Sequence, residues 1–190
     1  MEALRRFSVL IDRLSEAIGS LTAWLTLLMV LLGAFNAVGR YAGRFIGIDL
    51  ASNAFIESQW YLFSLVFLLG ASYTLKHNGH VRVDVFYARL TPRRRAALNL
   101  GGTLLLLLPF CVFVLVVSWP SVSNSVRIFE ASPDPGGLPR WPIKAVILIS
   151  FVLVILQGLS EAIKEWLFLR GAAAATENDL APQGDLHAGV

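Results

Sequence analysis

Three kinds of side chain here carry reactive chemistry. His77 and His80 stand three residues apart, which invites a metal reading. Glu57 lies at the edge of the apolar run Trp60–Leu75, which extends back toward Ala54. A membrane-edge carboxylate is the least that a small proton-coupled exchanger needs. Cys111 is the single cysteine and sits inside an apolar run. None of these builds a constellation. Two histidines without a Cys or carboxylate cluster are not a metal site, and ordinary hydrogen-bonded loop histidines explain them. One cysteine gives neither an intrachain disulfide nor a redox pair. The apolar runs hold no axial histidine for haem. With no nucleophile–base set, the chain reads as a non-enzyme without a cofactor of its own. Glu57 is left as the basis of one alternative, a self-sufficient homodimeric exchanger. A membrane scaffold unrelated to transport is another.

The elements that hold these residues are apolar. The chain has 190 residues, 56% of them hydrophobic, and its apolar residues come in unbroken runs rather than alternating with polar ones. That is a membrane signature. Four spans are expected, at about 21–38, 56–75, 96–119 and 143–165, because a crossing takes roughly 20 residues. Only helices satisfy every backbone group at that length in lipid, so the fold class is an all-α integral membrane protein with four transmembrane helices over 21–170. The first run is too long for a cleaved signal peptide.

Between the second and third runs lies "KHNGHVRVDVFYARLTPRRR", Lys76–Arg95. Lys76, Arg82, Arg89, Arg93, Arg94 and Arg95 join Arg5, Arg6, Arg13, Lys164 and Arg170 on one side of a four-span chain. Arg40, Arg44, Arg127, Arg140 and Lys144 fall on the other. The positive-inside rule then places both termini and the basic block in the cytoplasm. Lys76, Arg89, Arg93, Arg94 and Arg95 are read as a topology anchor held at the lipid surface. The loop is too short, and too tightly tied to membrane at both ends, to be a nucleic-acid site.

Before the first span, Leu4, Phe7, Ile11, Leu14, Ile18 and Leu21 recur at three- and four-residue steps. They predict an amphipathic interfacial helix over 1–20 that lies along the inner membrane face before turning in. The loop before Pro142 is rich in Pro and Gly and predicts a shaped turn, with Pro142 in the first turn of the fourth helix. Residues 171–190 are small, polar and mildly acidic, as in a disordered cytoplasmic tail. No charged residue falls in the middle of a span. The polar exceptions include Asn36 near the outer end of the first and Gln157 near the inner end of the fourth, where hydrogen bonding between helices explains them. Gly19-xxx-Ala23, Gly33-xxx-Ala37 and Gly158-xxx-Ala162 are small-xxx-small pairs, and Gly101–Gly102 and Gly70-Ala71-Ser72 add more close-approach surface.

The segment "FLLGASYTLKHNGHVRVDVFY", Phe67–Tyr87, resembles the signature of the small membrane subunit of tripartite ATP-independent periplasmic (TRAP) transporters, the DctQ-like family. A Leu-Gly-Ala-like step is followed by a basic turn and a His-x-Arg-x-Asp segment, matched by Gly70, Ala71, His80, Arg82 and Asp84. "SPDPGGLPRWPIK", Ser132–Lys144, looks like the branch labelled mannitol or chloroaromatic-compound type. The resemblance covers about 21–171. It implies a non-catalytic subunit that braces a large multi-span partner and helps dock a periplasmic substrate-binding protein. That partner takes up an organic acid on a sodium gradient, with the sodium ions bound in it and not here. It further implies that Gly70, Ala71, His80, Arg82 and Asp84 serve the subunit interface. Arg40, Arg44, Arg127 and Arg140 would face an acidic binding protein.

Overall fold

The computed structural model describes residues 2–46, 52–80, 87 and 89–171. Four long helices account for most of them: α1 Glu2–Ile46, α2 Asn53–Lys76, α3 Pro92–Arg127 and α4 Trp141–Leu169. Each is long and apolar enough to cross a membrane. Among the described residues the only β pairing is an isolated bridge between Ala131 and Pro139. The four expected spans each lie inside one helix. The 171–190 tail, beyond Gly171, lies outside the described residues, as do Arg82, Asp84 and the Arg44 side chain.

The helix ends follow local chemistry. Ser52 caps α2, its hydroxyl accepting from the Ala54 N–H at 3.2 Å. Pro92 and Pro142 occupy the first turns of α3 and α4, where a missing N–H costs nothing. α2 stops at Asn78, whose φ of 51° is left-handed. The Gly79 N–H then returns to the Thr74 carbonyl at 2.9 Å.

α1 departs from expectation. No turn separates an interfacial segment from the first span, because the helix runs unbroken from Glu2. Its 45 residues extend about 68 Å at 1.5 Å per residue, more than twice the roughly 30 Å hydrocarbon thickness. The physical reason is that the apolar stripe does not govern this segment. Ser8 and Ser15 are buried, at 3% and 2% exposure, and of the stripe Ile11 is buried with them while Leu4, Phe7, Leu14 and Leu21 stay exposed. Ser8, Asp12 and Ser15, on the flank of the stripe beside the buried Ile11, bond to α4, and the helix continues through the position of the expected turn.

α4 is the shared element. It packs against α1, α2 and α3, and α1 and α2 pack extensively on each other, whereas α3 rests on α4 alone to any extent. Two small-residue positions set these contacts. A Cβ at Gly19 would stand 2.1 Å from Tyr73 Cδ2, and one at Gly158 would stand 2.8 Å from Leu107 Cδ2. At Gly70, Gly101 and Gly102 the same atom would meet nothing within 4 Å. Those glycines make no close approach inside the described chain.

α3 is α-helical except for a π turn over Thr103–Leu107. The Leu108 N–H bonds back five residues to the Thr103 carbonyl. The widened turn precedes Pro109, which has no N–H and crowds the preceding turn. Leu107 and Leu108 are also the side chains that meet Gly158, so the π turn seats α3 on α4.

Gly158→Val is expected to push α3 off α4 and destabilise the fold by about 1–3 kcal/mol. Gly101→Ala, with open space at its Cβ, is expected to be neutral or stabilising by up to about 1 kcal/mol. Unfolding of the purified variants in detergent, followed by circular dichroism, checks both.

Candidate functional site

Three polar junctions tie the elements together. The largest joins the start of α1 to the end of α4. Asp12, at one turn from Ser8 and Ser15, faces Gln157, Ser160, Glu161 and Lys164, which recur at three- and four-residue steps on α4. Gln157 is fully buried. Its Oε1 accepts from Ser15 Oγ at 2.7 Å, and its Nε2 donates to Asp12 Oδ1 and Glu161 Oε1, each at 3.0 Å. Ser160 Oγ donates to Asp12 Oδ1 at 2.9 Å and lies 2.6 Å from Ser8 Oγ. Lys164 Nζ sits 2.7 Å from Asp12 Oδ2 and 3.0 Å from Glu161 Oε1. One ammonium, one amide and the Ser160 hydroxyl thus share two carboxylates, with the Ser8 hydroxyl on Ser160 and the Ser15 hydroxyl on the Gln157 carbonyl. The charges are paired and hydrogen-bonded, which is the condition for keeping them out of water.

The second junction joins α1 to the end of α2. Glu16 pairs with Lys76 and lies 3.1 Å from His77 Nε2. The His77 ring lies 4.4 Å from the Tyr73 ring, which is the ring that fills the space over Gly19. Lys76, expected as a topology anchor, is therefore also an ion-pair partner. His77 belongs to this pair, and His80 is exposed. Arg95 Nε donates to the Leu90 carbonyl at 3.0 Å, and its guanidinium lies 5.2 Å from the Tyr87 ring centroid. Arg89, Arg93 and Arg94 are exposed. Nearby, Asn99 Nδ2 donates to Glu165 Oε1 at 2.7 Å and joins α3 to α4 at the same end.

The third junction lies at the opposite end. Glu57 is buried, and its two carboxylate oxygens accept from the Ser132 hydroxyl and the Leu138 N–H. Asn53 Nδ2 donates to the Pro135 carbonyl at 3.1 Å, and Tyr61 Oη to the Pro139 carbonyl at 2.8 Å. Gly136 takes a φ of 72°, and a Cβ on Gly137 would meet Glu57 Oε2 at 2.8 Å. The 128–140 loop is thus a shaped turn clamped to α2. Glu57, the carboxylate on which an exchanger would depend, is occupied in holding it.

Arg40 and Arg127 are exposed at this end, and Arg140 is half-buried. Lys144 pairs with Glu130. Its ammonium holds the Glu130 carboxyl below the ordinary carboxylate range, and the Arg140 charge adds to the effect. Of the motif residues, Gly70 has open space where a Cβ would be and Ala71 is half-buried. The neighbouring Ser72 is fully buried.

Sequence reasoning found Gln157 but missed Ser8, Asp12 and Ser15. The available signal was the recurrence of Ser8, Asp12 and Ser15 at helical steps along one flank of the apolar stripe in 1–20.

Gln157→Leu is expected to cost about 1–2 kcal/mol, since it strips hydrogen bonds from Ser15, Asp12 and Glu161 at once. Adding Ser15→Ala in that background should then cost little more. Detergent-titrated unfolding of the two single variants and the double variant measures this coupling. The Glu130–Lys144 pair carries a sign in pH. Because the native carboxyl is held low, the pair contributes fully above the ordinary value of 4.5 and fades as pH falls through the lowered native value. Amide exchange in the 128–140 loop should therefore accelerate in acid, and Glu130→Gln should flatten that dependence.

A family described as tripartite ATP-independent periplasmic transporters, DctQ component, matches residues 29–168. No curated protein and no solved structure matches the chain. The match takes in α2 and α3 whole and α4 up to its last residue, and begins inside α1, so the α4 half of the Gln157 cluster lies within it and the Ser8–Asp12–Ser15 half lies outside. A family match across most of the chain, together with four helices able to cross a membrane, identifies this protein as a member of the DctQ family, the small membrane component of TRAP transporters.

Proposed function

We propose that this chain braces the large membrane subunit of its transporter and moves no solute itself. The observation that carries the reading is the state of Glu57. It is the one membrane-edge carboxylate that sequence analysis singled out for coupling, and both its oxygens are engaged by the 128–140 loop. The Gln157 cluster supports the same reading, since its hydrogen bonds and ion pairs run between α1 and α4.

In this reading both termini and the 76–95 block face the cytoplasm, in keeping with the excess of Lys and Arg there. The clamped loop and Arg40, Arg44, Arg127 and Arg140 face the periplasm, where basic residues steer an acidic binding protein. His80, Arg82 and Asp84 order the inner loop against the large subunit. The partner carries the organic acid and the sodium ions. The substrate type of the mannitol or chloroaromatic branch rests on the 132–144 resemblance.

Reconstitution tests this. Proteoliposomes holding the large subunit, this chain and the binding protein should accumulate an organic acid on a sodium gradient. Leaving this chain out should abolish uptake, and this chain alone should give none. Uptake by this chain alone, lost on Glu57→Gln, would instead establish the exchanger.

A further inference from the structure

Phe129 occupies a turn position that suits glycine or asparagine. α3 closes on a pair of bonds in which the Phe129 N–H reaches the Val126 carbonyl at 3.2 Å and the Glu130 N–H reaches the Ser125 carbonyl at 3.0 Å. That turn needs a left-handed residue at its corner, and Phe129 supplies it with a φ of 49°. The same turn at the end of α2 uses Asn78, and the other left-handed residues described are Gly136 and Gly171. Glycine avoids the clash of Cβ with the following carbonyl oxygen, and asparagine offsets it with local hydrogen bonds. Phenylalanine does neither, and it gains little inside the chain in return. It is 71% exposed, and Ile128 beside it is 60% exposed. Its ring meets the Trp141 ring edge-on, with centroids 6.2 Å apart. A strained residue that is kept, and kept outward, points to a contact outside the chain.

The depth of the pair indicates what it meets. Trp119 is exposed and closes the outward apolar face that runs through Phe113, Val116 and Val117. Past it α3 exposes Ser121, Ser123, Asn124 and Arg127, so the hydrocarbon ends near Trp119. The contacts of Leu107 and Leu108 with Gly158 set α3 and α4 in register. From that level Trp119 stands roughly 18 Å along α3 and Trp141 roughly 26 Å along α4. Trp141, with the Phe129 ring against it, is therefore roughly 8 Å farther out than Trp119. Headgroups add roughly 5–8 Å to each side of the hydrocarbon, so the two rings lie at headgroup depth. Aromatic rings gather there in membrane proteins. Arg127, exposed next to Ile128, is placed for a lipid phosphate.

We propose that Ile128 and Phe129 form a hook that enters the phospholipid headgroup layer at the Glu57 end of the bundle, with Arg127 on a phosphate. The bilayer then holds one side of the 128–140 loop, and Glu57 holds the other. The inference goes beyond the bracing function and does not depend on it. A soluble protein docking on the tip fits less well, because the tip lies among the headgroups and not above them.

The test uses this chain reconstituted with its large subunit in phospholipid bilayers, with Cys111→Ala removing the native thiol. A nitroxide is attached at position 128, at 117 on the outward face of α3, or at 134 in the loop. Its collisions with oxygen, which concentrates in lipid, are compared with those of a water-soluble nickel chelate. The oxygen-to-nickel ratio at 128 is expected to lie below that at 117 and severalfold above that at 134. Phe129→Gly relieves the turn and so keeps the fold. It should drop the ratio at 128 toward that at 134, whereas Phe129→Trp should preserve it. A ratio at 128 equal to that at 134 in the unsubstituted turn would overturn the hook. So would shielding of 128 from both reagents, which would put the large subunit over the tip, or shielding that appears only once the binding protein is added. An unchanged ratio in Phe129→Gly would overturn the role of the ring.

Discussion

Gln157 is sealed from its surroundings, and its carbonyl and both amide hydrogens are in use. It holds α1 against α4, and α4 is the helix on which the other three depend. In lipid the association of helices gains nothing from the hydrophobic effect, since tails are as apolar as leucine side chains. What remains is close packing and hydrogen bonding. The fold uses the two in different places. Gly19 and Gly158 allow backbones to approach where the surroundings are apolar. The amide, hydroxyls and ion pairs act elsewhere, as bonds from one helix to the next.

The basic block illustrates how one stretch serves two ends. In the proposed orientation its charges act collectively, through their number on one side. Individually they are not equivalent. Lys76 is committed to Glu16 and Arg95 to the backbone of its own turn. Arg89, Arg93 and Arg94 face outward, free to meet anionic headgroups. Packing and orientation are therefore assigned to different residues within a short segment, and changing one need not disturb the other.

Much of the fold was legible in sequence because unbroken apolar runs admit one solution in a bilayer, a helix. The clamped loop was half legible. Its prolines and glycines announced a turn, but nothing in them said that Glu57 would hold it. The start of α1 was misjudged for a physical reason. An apolar stripe predicts which face seeks lipid only if nothing better is offered to its polar flank, and α4 offers Gln157, Ser160 and Lys164. Partners more than a hundred residues apart leave no periodic trace of each other. Asn36 was legible as a polar exception, but that its buried Oδ1 has no hydrogen-bond partner among the described residues shows only in three dimensions.

α1 contains no proline and no widened turn, whereas α3 carries both. Helix bends have such identifiable causes, and of them α1 carries only the Gly19–Ser20 pair, whereas α3 carries two interior prolines and a π turn. At about 68 Å, α1 would reach past both faces of a roughly 30 Å hydrocarbon layer, so that one element of the subunit lies open to partners on either side.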